Sequence, residues 1–171
     1  MPEIIASLVL IAALVFWMKS VQRALAVLDK NMNNAILQIS AQLSSQWHCL
    51  AVLSNLTERY DTADFSALAD GLKQRRSMTI GSTPEDIDHQ KALLAELVKR
   101  MIAAAEGYPE LRVNPDYVTS MDTVKQYEKM IKTSSLIYNE SVTRLNRAIG
   151  SFPASMIAGI LGFSKRAFLK S

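Results

Sequence analysis

The sequence predicts an all-α protein in which an N-terminal transmembrane helix continues into a long-helix antiparallel helical bundle. The chain begins with an uninterrupted apolar segment, and apolar residues then recur at steps of three and four. No segment alternates apolar and polar residues as a half-buried strand would. The predicted organisation is an anchor over residues 1–20, a cytoplasmic helical bundle over 21–153 and an apolar, basic tail over 154–171.

The apolar segment Ile4–Met18 carries no charged residue, glycine or proline. It is shorter than the roughly 20 residues that usually span a bilayer, but the residues after it continue the helix without a break. Trp17 falls where indole rings prefer the membrane interface, and Lys19 and Arg23 have side chains long enough to reach headgroups. We therefore predict a membrane span, with these three residues in contact with the bilayer.

The alternative for this segment is a cleaved signal peptide. Such a peptide has basic residues before the apolar run and a small-x-small cleavage site after it. Here the charge before the run is Glu3, and the run ends in Trp17-Met18-Lys19, so a retained anchor is favoured. Because the basic residues follow the run, the positive-inside rule places the N-terminus outside and the large domain in the cytoplasm.

After the anchor, one apolar stripe predicts a long first helix that ends near Arg59–Tyr60. No glycine or proline occurs between Glu3 and Asp70, and the apolar positions recur along one helix face. The stripe is Val21, Leu25, Leu28, Met32, Ala35, Ile39, Leu43, Leu50 and Leu53, with Gln46 as a polar exception.

A second, shorter helix is predicted over Ala63–Arg76, with Asp61 or Thr62 as its N-cap. The basic residues that close it suit a helix C-terminus, and the alternative for them is a contact with lipid headgroups or an acidic partner. They are Lys73, Arg75 and Arg76.

The third helix is predicted to begin with Thr83 as N-cap and Pro84 at its first position, and to stop at Gly107-Tyr108-Pro109. Acidic residues follow the proline and suit a helix start. Its apolar stripe is Ile87, Leu94, Val98, Met101 or Ile102, and Ala105.

The fourth helix is predicted to run from its N-cap, Asn114, to Gly150. Its apolar positions alternate steps of four and three, which is typical of a packing seam. They are Tyr117, Met121, Val124, Ile131, Tyr138, Val142, Leu145 and Ile149, with Glu128 and Ser135 as polar exceptions. The apolar tail that follows either docks on the bundle or lies on the bilayer, where Lys165, Arg166 and Lys170 would contact lipid.

The residues offer no pattern for catalysis or metal binding. The net charge of +3 is too weak a bias for nucleic-acid binding. His48 and Cys49 are adjacent, so they point about 100° apart on a helix. Asp86-x-x-His89 is a lone partial match to a di-iron motif, and the six glycines are too dispersed for a phosphate-binding loop. We predict no enzyme activity, cofactor, metal, small-molecule substrate or nucleic-acid partner.

Several short motifs resemble those of the LemA family. The segment Ala105–Leu111 reads AEGYPEL, and Phe152-Pro153 follows downstream at the family's spacing. The positions that match family motifs, with structural or interaction roles, are Asn34, Gln38, Gln42, Tyr108, Pro109, Asn114, Glu128, Tyr138, Asn139, Asn146, Phe152 and Pro153. The family usually has arginine at the positions of Met130 and Ser135, so Glu128 needs another partner or lies exposed.

The resemblance implies a single-pass protein of the bacterial inner membrane with a cytoplasmic helical bundle and no established enzymatic activity. We predict a non-enzymatic scaffold or protein-interaction module whose working surface is the long first helix, including the surface around Gln42–Trp47, and the exposed face of the bundle. Its partners would be the lipid bilayer and either further copies of the chain or another membrane protein. The alternative is a membrane-shaping or lipid-binding protein that acts through self-assembly and the amphipathic tail Met156–Lys170.

Overall fold

The computed structural model describes residues 2–57 and 63–170, and within these ranges the chain is helical and contains no strand. The predicted all-helical class is therefore confirmed for this part of the chain. The elements are α1 (Pro2–Thr57), α2 (Ala63–Leu72), α3 (Pro84–Glu106), α4 (Pro109–Arg112), α5 (Pro115–Gly150) and a 3-10 helix (Ala154–Met156).

The chain divides into two compact units, and α1 and α5 contribute to both. Unit 1 combines Met1–Asn34 with Ile137–Phe168, and unit 2 combines Ala35–Leu136 with Leu169–Ser171. Unit 1 therefore holds the start of α1, the end of α5 and most of the tail. Unit 2 holds the later part of α1, the earlier part of α5, and α2, α3 and α4.

The first part of α1 is long and apolar enough to cross a membrane. Every residue from 2 to 16 is exposed, so the described part of the chain does not bury the apolar side chains of this segment. Exposed apolar surface of this extent is unfavourable in water and favourable in lipid. The structure thus agrees with the predicted apolar anchor helix.

The rest of α1 buries the predicted stripe. From Leu25 to Leu53 the stripe positions are buried, apart from half-buried Leu28. Each fully buried leucine or isoleucine stabilises the fold by about 1.5–3 kcal/mol relative to an exposed one. The helix is unbroken to Thr57, and the predicted end at Arg59–Tyr60 lies outside the described residues.

Helix α2 is described from Ala63 and ends at Leu72, so the predicted extension to Arg76 was wrong. Its last turn contains no basic residue, because the three cations lie in the segment that follows. Gly71 is buried against α3, where an added Cβ would lie 2.3 Å from a methyl group of Leu97. The proposed caps Asp61 and Thr62 are outside the described residues.

Helix α3 has the predicted start. The side chain of Thr83 accepts from the main-chain N–H of Asp86, and the Asp86 carboxylate accepts from the main-chain N–H of Thr83, which completes a capping box. Met101 is buried and Ile102 exposed, which decides between the two candidate stripe positions. The short helix α4 was not predicted, because a four-residue helix has no periodicity to detect.

Helix α5 has the predicted cap and seam. Asn114 Oδ1 accepts from the main-chain N–H groups of Asp116 and Tyr117. The seam positions from Tyr117 to Leu145 are buried except Glu128, which is exposed. The exposed position of Glu128 explains how the chain tolerates the loss of the arginine partner that the resemblance implied.

Candidate functional site

An open, polar cleft with a volume of about 340 Å³ lies in unit 2. Residues of α1, of the segment after α2 and of α5 line it: Ser44, Ser45, His48, Cys49, Arg75 and Tyr127. The α1 members repeat at a spacing of four residues, so they share one face of the helix. The cleft therefore occupies the exposed edge of α1 beside its buried stripe.

A hydrogen bond positions Arg75 in this cleft. Its Nη2 donates to Ser44 Oγ over 2.8 Å. The buried side chain of Gln90 on α3 fixes the segment that carries Arg75. Gln90 Oε1 accepts from the main-chain N–H of Arg76 at 3.0 Å, and Gln90 Nε2 donates to the carbonyl of Gln74 at 3.4 Å.

The polar groups of the cleft are a guanidinium, an imidazole and three hydroxyls, with no carboxylate among its lining residues. Such a surface favours acidic or neutral polar groups of a partner over cations. Burial raises the pKa of the Cys49 thiol, so the thiol is protonated at neutral pH and is a poor nucleophile. Across residues 2–57 and 63–170, no three side chains of His, Cys, Asp or Glu form a group that could hold a metal ion.

A row of glutamines next to the cleft joins α1 to α5 within unit 2. Ser134 Oγ on α5 lies 3.2 Å from Gln42 Oε1 and 3.5 Å from Gln38 Oε1. One helix turn further along α1, the buried Gln46 donates through Nε2 to the carbonyl of Val124 over 3.4 Å. These glutamines lie four residues apart and so form one polar edge on the helix.

In unit 1, α5 holds the tail through two side chains. Asn146 makes a paired contact with the main chain of Arg166: its Nδ2 donates to the carbonyl and its Oδ1 accepts from the N–H, both at 2.9 Å. Tyr138 Oη donates to the carbonyl of Ala167 at 3.1 Å. The Arg166 guanidinium also forms an ion pair with Asp29 of α1 at 3.1 Å.

The sequence model of one protein family, described as the LemA family, matches residues 35–171. The match covers unit 2 and the whole of the Ile137–Phe168 segment of unit 1. The chain belongs to the LemA family. No curated protein shows significant similarity to it.

The structure distributes the predicted LemA-motif residues over several tasks. Gln38 and Gln42 meet Ser134, Asn114 caps α5, and Tyr138 and Asn146 hold the tail. The Tyr108 ring packs against the Phe65 ring with the centroids 5.8 Å apart. Asn34, Pro109, Glu128, Phe152 and Pro153 are exposed, and Asn139 is half-buried. In the described part of this LemA-family chain, the motif residues whose contacts are given above support the fold at separate places, and the set does not converge on one pocket.

Of the predicted interaction surface Gln42–Trp47, part is interior. Leu43, Gln46 and Trp47 are buried, and Trp47 is only 2% exposed, so a partner could reach Ser44 and Ser45 but not the indole. Sequence reasoning named Arg75 as a candidate contact for an acidic partner but missed that it meets Ser44, which lies 31 residues away on another element. It also missed Gln90 and Tyr127, which carry no local motif.

The predicted membrane contacts also fall into two groups. Lys19 and Arg23 are exposed on α1 and Trp17 is half-buried. Lys165 is exposed, whereas the guanidinium of Arg166 contacts Asp29. The main chain of Lys170 donates to Asp88 at 2.8 Å and accepts from Lys91 at 2.7 Å. The end of the tail thus contacts protein side chains, as one of the two predicted alternatives requires.

Proposed function

We propose that this chain is a non-enzymatic, membrane-anchored scaffold that presents a helical interaction module beside a bilayer. The continuity of α1 carries this proposal. Its residues 4–16 are uncharged, almost all apolar and exposed, and the same unbroken helix later supplies core residues such as Leu25 and Ile39. A helix that leaves the lipid and enters the core of the module holds that module at a fixed distance from the membrane.

The module is proposed to be an antiparallel helical bundle. In unit 2, Gln38 of α1 lies beside Ser134 of α5. Gln46, which comes later in α1, bonds to Val124, which comes earlier in α5. Successive contact residues of α1 therefore meet α5 residues that come earlier and earlier in the chain, which favours antiparallel packing.

The proposed topology places the N-terminus outside and the module in the cytoplasm, at the inner membrane of a bacterium. The basic residues Lys19, Arg23 and Lys30 on the module side of the span support this orientation. A fluorescent protein that matures only in the cytoplasm and alkaline phosphatase, which is active only outside, test it when each is fused to the C-terminus. Phosphatase activity without fluorescence would reverse the topology.

The polar cleft of unit 2 is the proposed docking surface, and its partner is either another membrane protein or a second copy of the chain. The cleft presents Arg75 and His48 without a carboxylate among its lining residues, so it suits an acidic or polar segment of the partner. Because α1 holds every copy in one plane, even a weak contact acts at high effective concentration.

Site-specific cross-linking in intact cells tests this surface. A photo-reactive amino acid at Ser45 is expected to cross-link to a discrete partner, and Arg75→Ser is expected to reduce the yield. Arg76→Ser is the matched control, since Arg76 is the adjacent exposed arginine and does not line the cleft. Equal yields in the two variants, or no discrete product, would count against the cleft as the docking surface.

A membrane-shaping role remains the second candidate, and one observation favours it: Phe152, Met156 and Ile160 are large, apolar and exposed. The contacts of Arg166 and Lys170 with protein argue against the whole tail acting as a free amphipathic helix. Discrete ladders of self-cross-linked chains that remodel vesicles would move this role to first place.

A further inference from the structure

An exposed apolar segment lies in unit 1 between the end of α5 and the basic residues of the tail. No residue from Ser151 to Ser164 is charged. Three of its large apolar side chains are mostly exposed, namely Phe152 by 81%, Met156 by 69% and Ile160 by 81%. A soluble surface rarely concentrates exposed apolar groups in this way without a partner.

The local backbone separates an inner from an outer side of this segment. The main-chain N–H of Ala158 donates to Ala154 at 2.9 Å, and that of Leu161 donates to Ile157 at 2.9 Å, so the chain forms helical turns. Ala158 is buried and Ala154, Ile157 and Leu161 are half-buried. Residues 152, 156 and 160 recur every four positions on the opposite, exposed side.

Distances along the helices place this segment beside the end of the membrane span. Arg166 contacts both Asp29 and Asn146, so these positions of α1 and α5 lie within the length of one arginine. A span of about 20 residues ends near Ser20, which puts Asp29 about 14 Å above the hydrocarbon. With α5 antiparallel to α1, the end of α5 at Gly150 lies four residues, or about 6 Å, closer to the membrane, and Phe152 follows two residues later.

The remaining height is about 8 Å, and the headgroup layer on one side of a bilayer is roughly 5–8 Å thick. The exposure of α1 agrees with this height. Residues 2–16 are all exposed, but Trp17, Met18 and Val21 are half-buried. Other parts of the chain therefore begin to cover α1 at the level where the span ends.

We propose that Phe152, Met156 and Ile160 insert into the interfacial layer of the bilayer that α1 crosses, as a second membrane contact of the module. This inference rests on the membrane anchor proposed above. The exposed basic residues Arg147 and Lys165 flank the uncharged segment and suit lipid headgroups. Two contacts fix the rotation of the module about α1, which one helix alone leaves free.

Spin labels on the full-length chain in phosphatidylcholine–phosphatidylglycerol vesicles test the proposal. In a Cys49→Ala background, single cysteines replace Met156 or Ile160 in the segment, Phe16 in the span, and Val113 in unit 2. Val113 is the matched control, since it is an exposed apolar residue at 77% and lies outside the segment, and Phe16 is 76% exposed. The measured quantity is the accessibility of each label to oxygen, which concentrates in lipid, relative to a water-soluble nickel complex.

The labels at 156 and 160 are expected to shift from the low oxygen-to-nickel ratio of the Val113 label towards the high ratio of the Phe16 label. A lipid-like ratio at Phe16 combined with a water-like ratio at both segment positions would overturn the second contact and keep the anchor. Shielding of the segment labels from both reagents would also overturn it, because the cover would then be protein. A water-like ratio at Phe16 would instead reject the anchor itself.

Discussion

The guanidinium of Arg166 lies 3.1 Å from the carboxylate of Asp29, a residue 137 positions earlier in the chain. Both side chains are partly exposed, so water screens the pair and we expect it to contribute less than 1 kcal/mol. The ion pair therefore shows the position of the tail but contributes little to holding it there. The hydrogen bonds of Asn146 to the main chain of Arg166 are the stronger candidates for that task.

Asn146→Ala is expected to release the tail. The substitution removes two hydrogen bonds, and because they are exposed their net contribution is about 1 kcal/mol. If cleavage follows the population of the open tail, trypsin should cut after Lys165 and Arg166 about fivefold faster. The measurement is the rate at which the C-terminal peptide appears from the full-length chain in mild detergent.

Asn31→Ala is the matched control for the tail variant, since Asn31 is an exposed asparagine of α1 and alanine is the better helix former. It should leave the cleavage rate unchanged. If Asn146→Ala is cut no faster than the wild-type chain, the tail is held by its buried side chain Leu169 or by Tyr138 and not by the asparagine.

Local signals made the helix boundaries predictable. Thr83, Asn114 and Pro84 act within a few residues of their own position, so the sequence contains the whole of the capping interaction. The early end of α2 escaped prediction for the opposite reason. The basic residues between Lys73 and Arg76 favour a helix C-terminus. In the structure this segment is not helical, and the side chain of Gln90 on α3 forms hydrogen bonds with its main chain. A tertiary contact overrides the local preference here.

Gln46→Leu is expected to lower the free energy of unfolding by less than about 1 kcal/mol or to raise it. The bond from Gln46 to the Val124 carbonyl is long, at 3.4 Å, and within α5 that carbonyl also accepts an intrahelical bond. A buried leucine of similar size replaces the amide with apolar contacts. Gln46→Ala should instead cost roughly 2 kcal/mol, because it leaves a cavity.

The thermal unfolding of full-length protein in detergent, followed by circular dichroism, measures both Gln46 variants. The two substitutions are matched because each removes the amide and only the alanine removes volume. If Gln46→Leu destabilises the fold as much as Gln46→Ala does, the long hydrogen bond contributes more than its geometry suggests.

Thr83→Ala is expected to destabilise α3 by about 1 kcal/mol near neutral pH. Hydrogen bonds from the Thr83 hydroxyl and N–H lower the pKa of Asp86. A carboxyl whose pKa is lower in the folded state stabilises the fold above its unfolded pKa of about 3.9, and this contribution is lost as the pH falls through the folded value. The difference in the free energy of unfolding between wild type and Thr83→Ala should therefore become smaller below pH 4.

Thr123→Ala is the control for the cap, since the Thr123 hydroxyl bonds to its own helix, at the carbonyl of Thr119. Alanine favours the helix interior, so this variant should be neutral or slightly stabilising. Equal losses in the two threonine variants at neutral pH would mean that the capping box does not stabilise α3. If the stability difference between wild type and Thr83→Ala does not change with pH, the Asp86 carboxylate does not contribute to it.

The seam of α5 was predictable because burial there follows helix periodicity. The cleft was not, because its residues come from α1, the segment after α2 and α5, which are far apart in the sequence. Ser44 and Arg75 meet only after α1 and the segment behind α2 have packed. The indole of Trp47 shows the converse problem. Its polar neighbours favoured a surface position, yet it is buried, and no described residue accepts a hydrogen bond from its Nε1.

Cys49 is expected to react slowly with a disulfide reagent such as Ellman's reagent at pH 7.5. Burial raises the pKa of its thiol, so the reactive thiolate is scarcer than in free cysteine. His48→Cys in a Cys49→Ala background is the matched control, because position 48 is adjacent and exposed. That thiol should react faster, and unfolding in urea should remove the difference. If Cys49 in the folded chain reacts as fast as the thiol at position 48, the α1 edge of the cleft is open enough to admit the reagent and the thiol is not shielded.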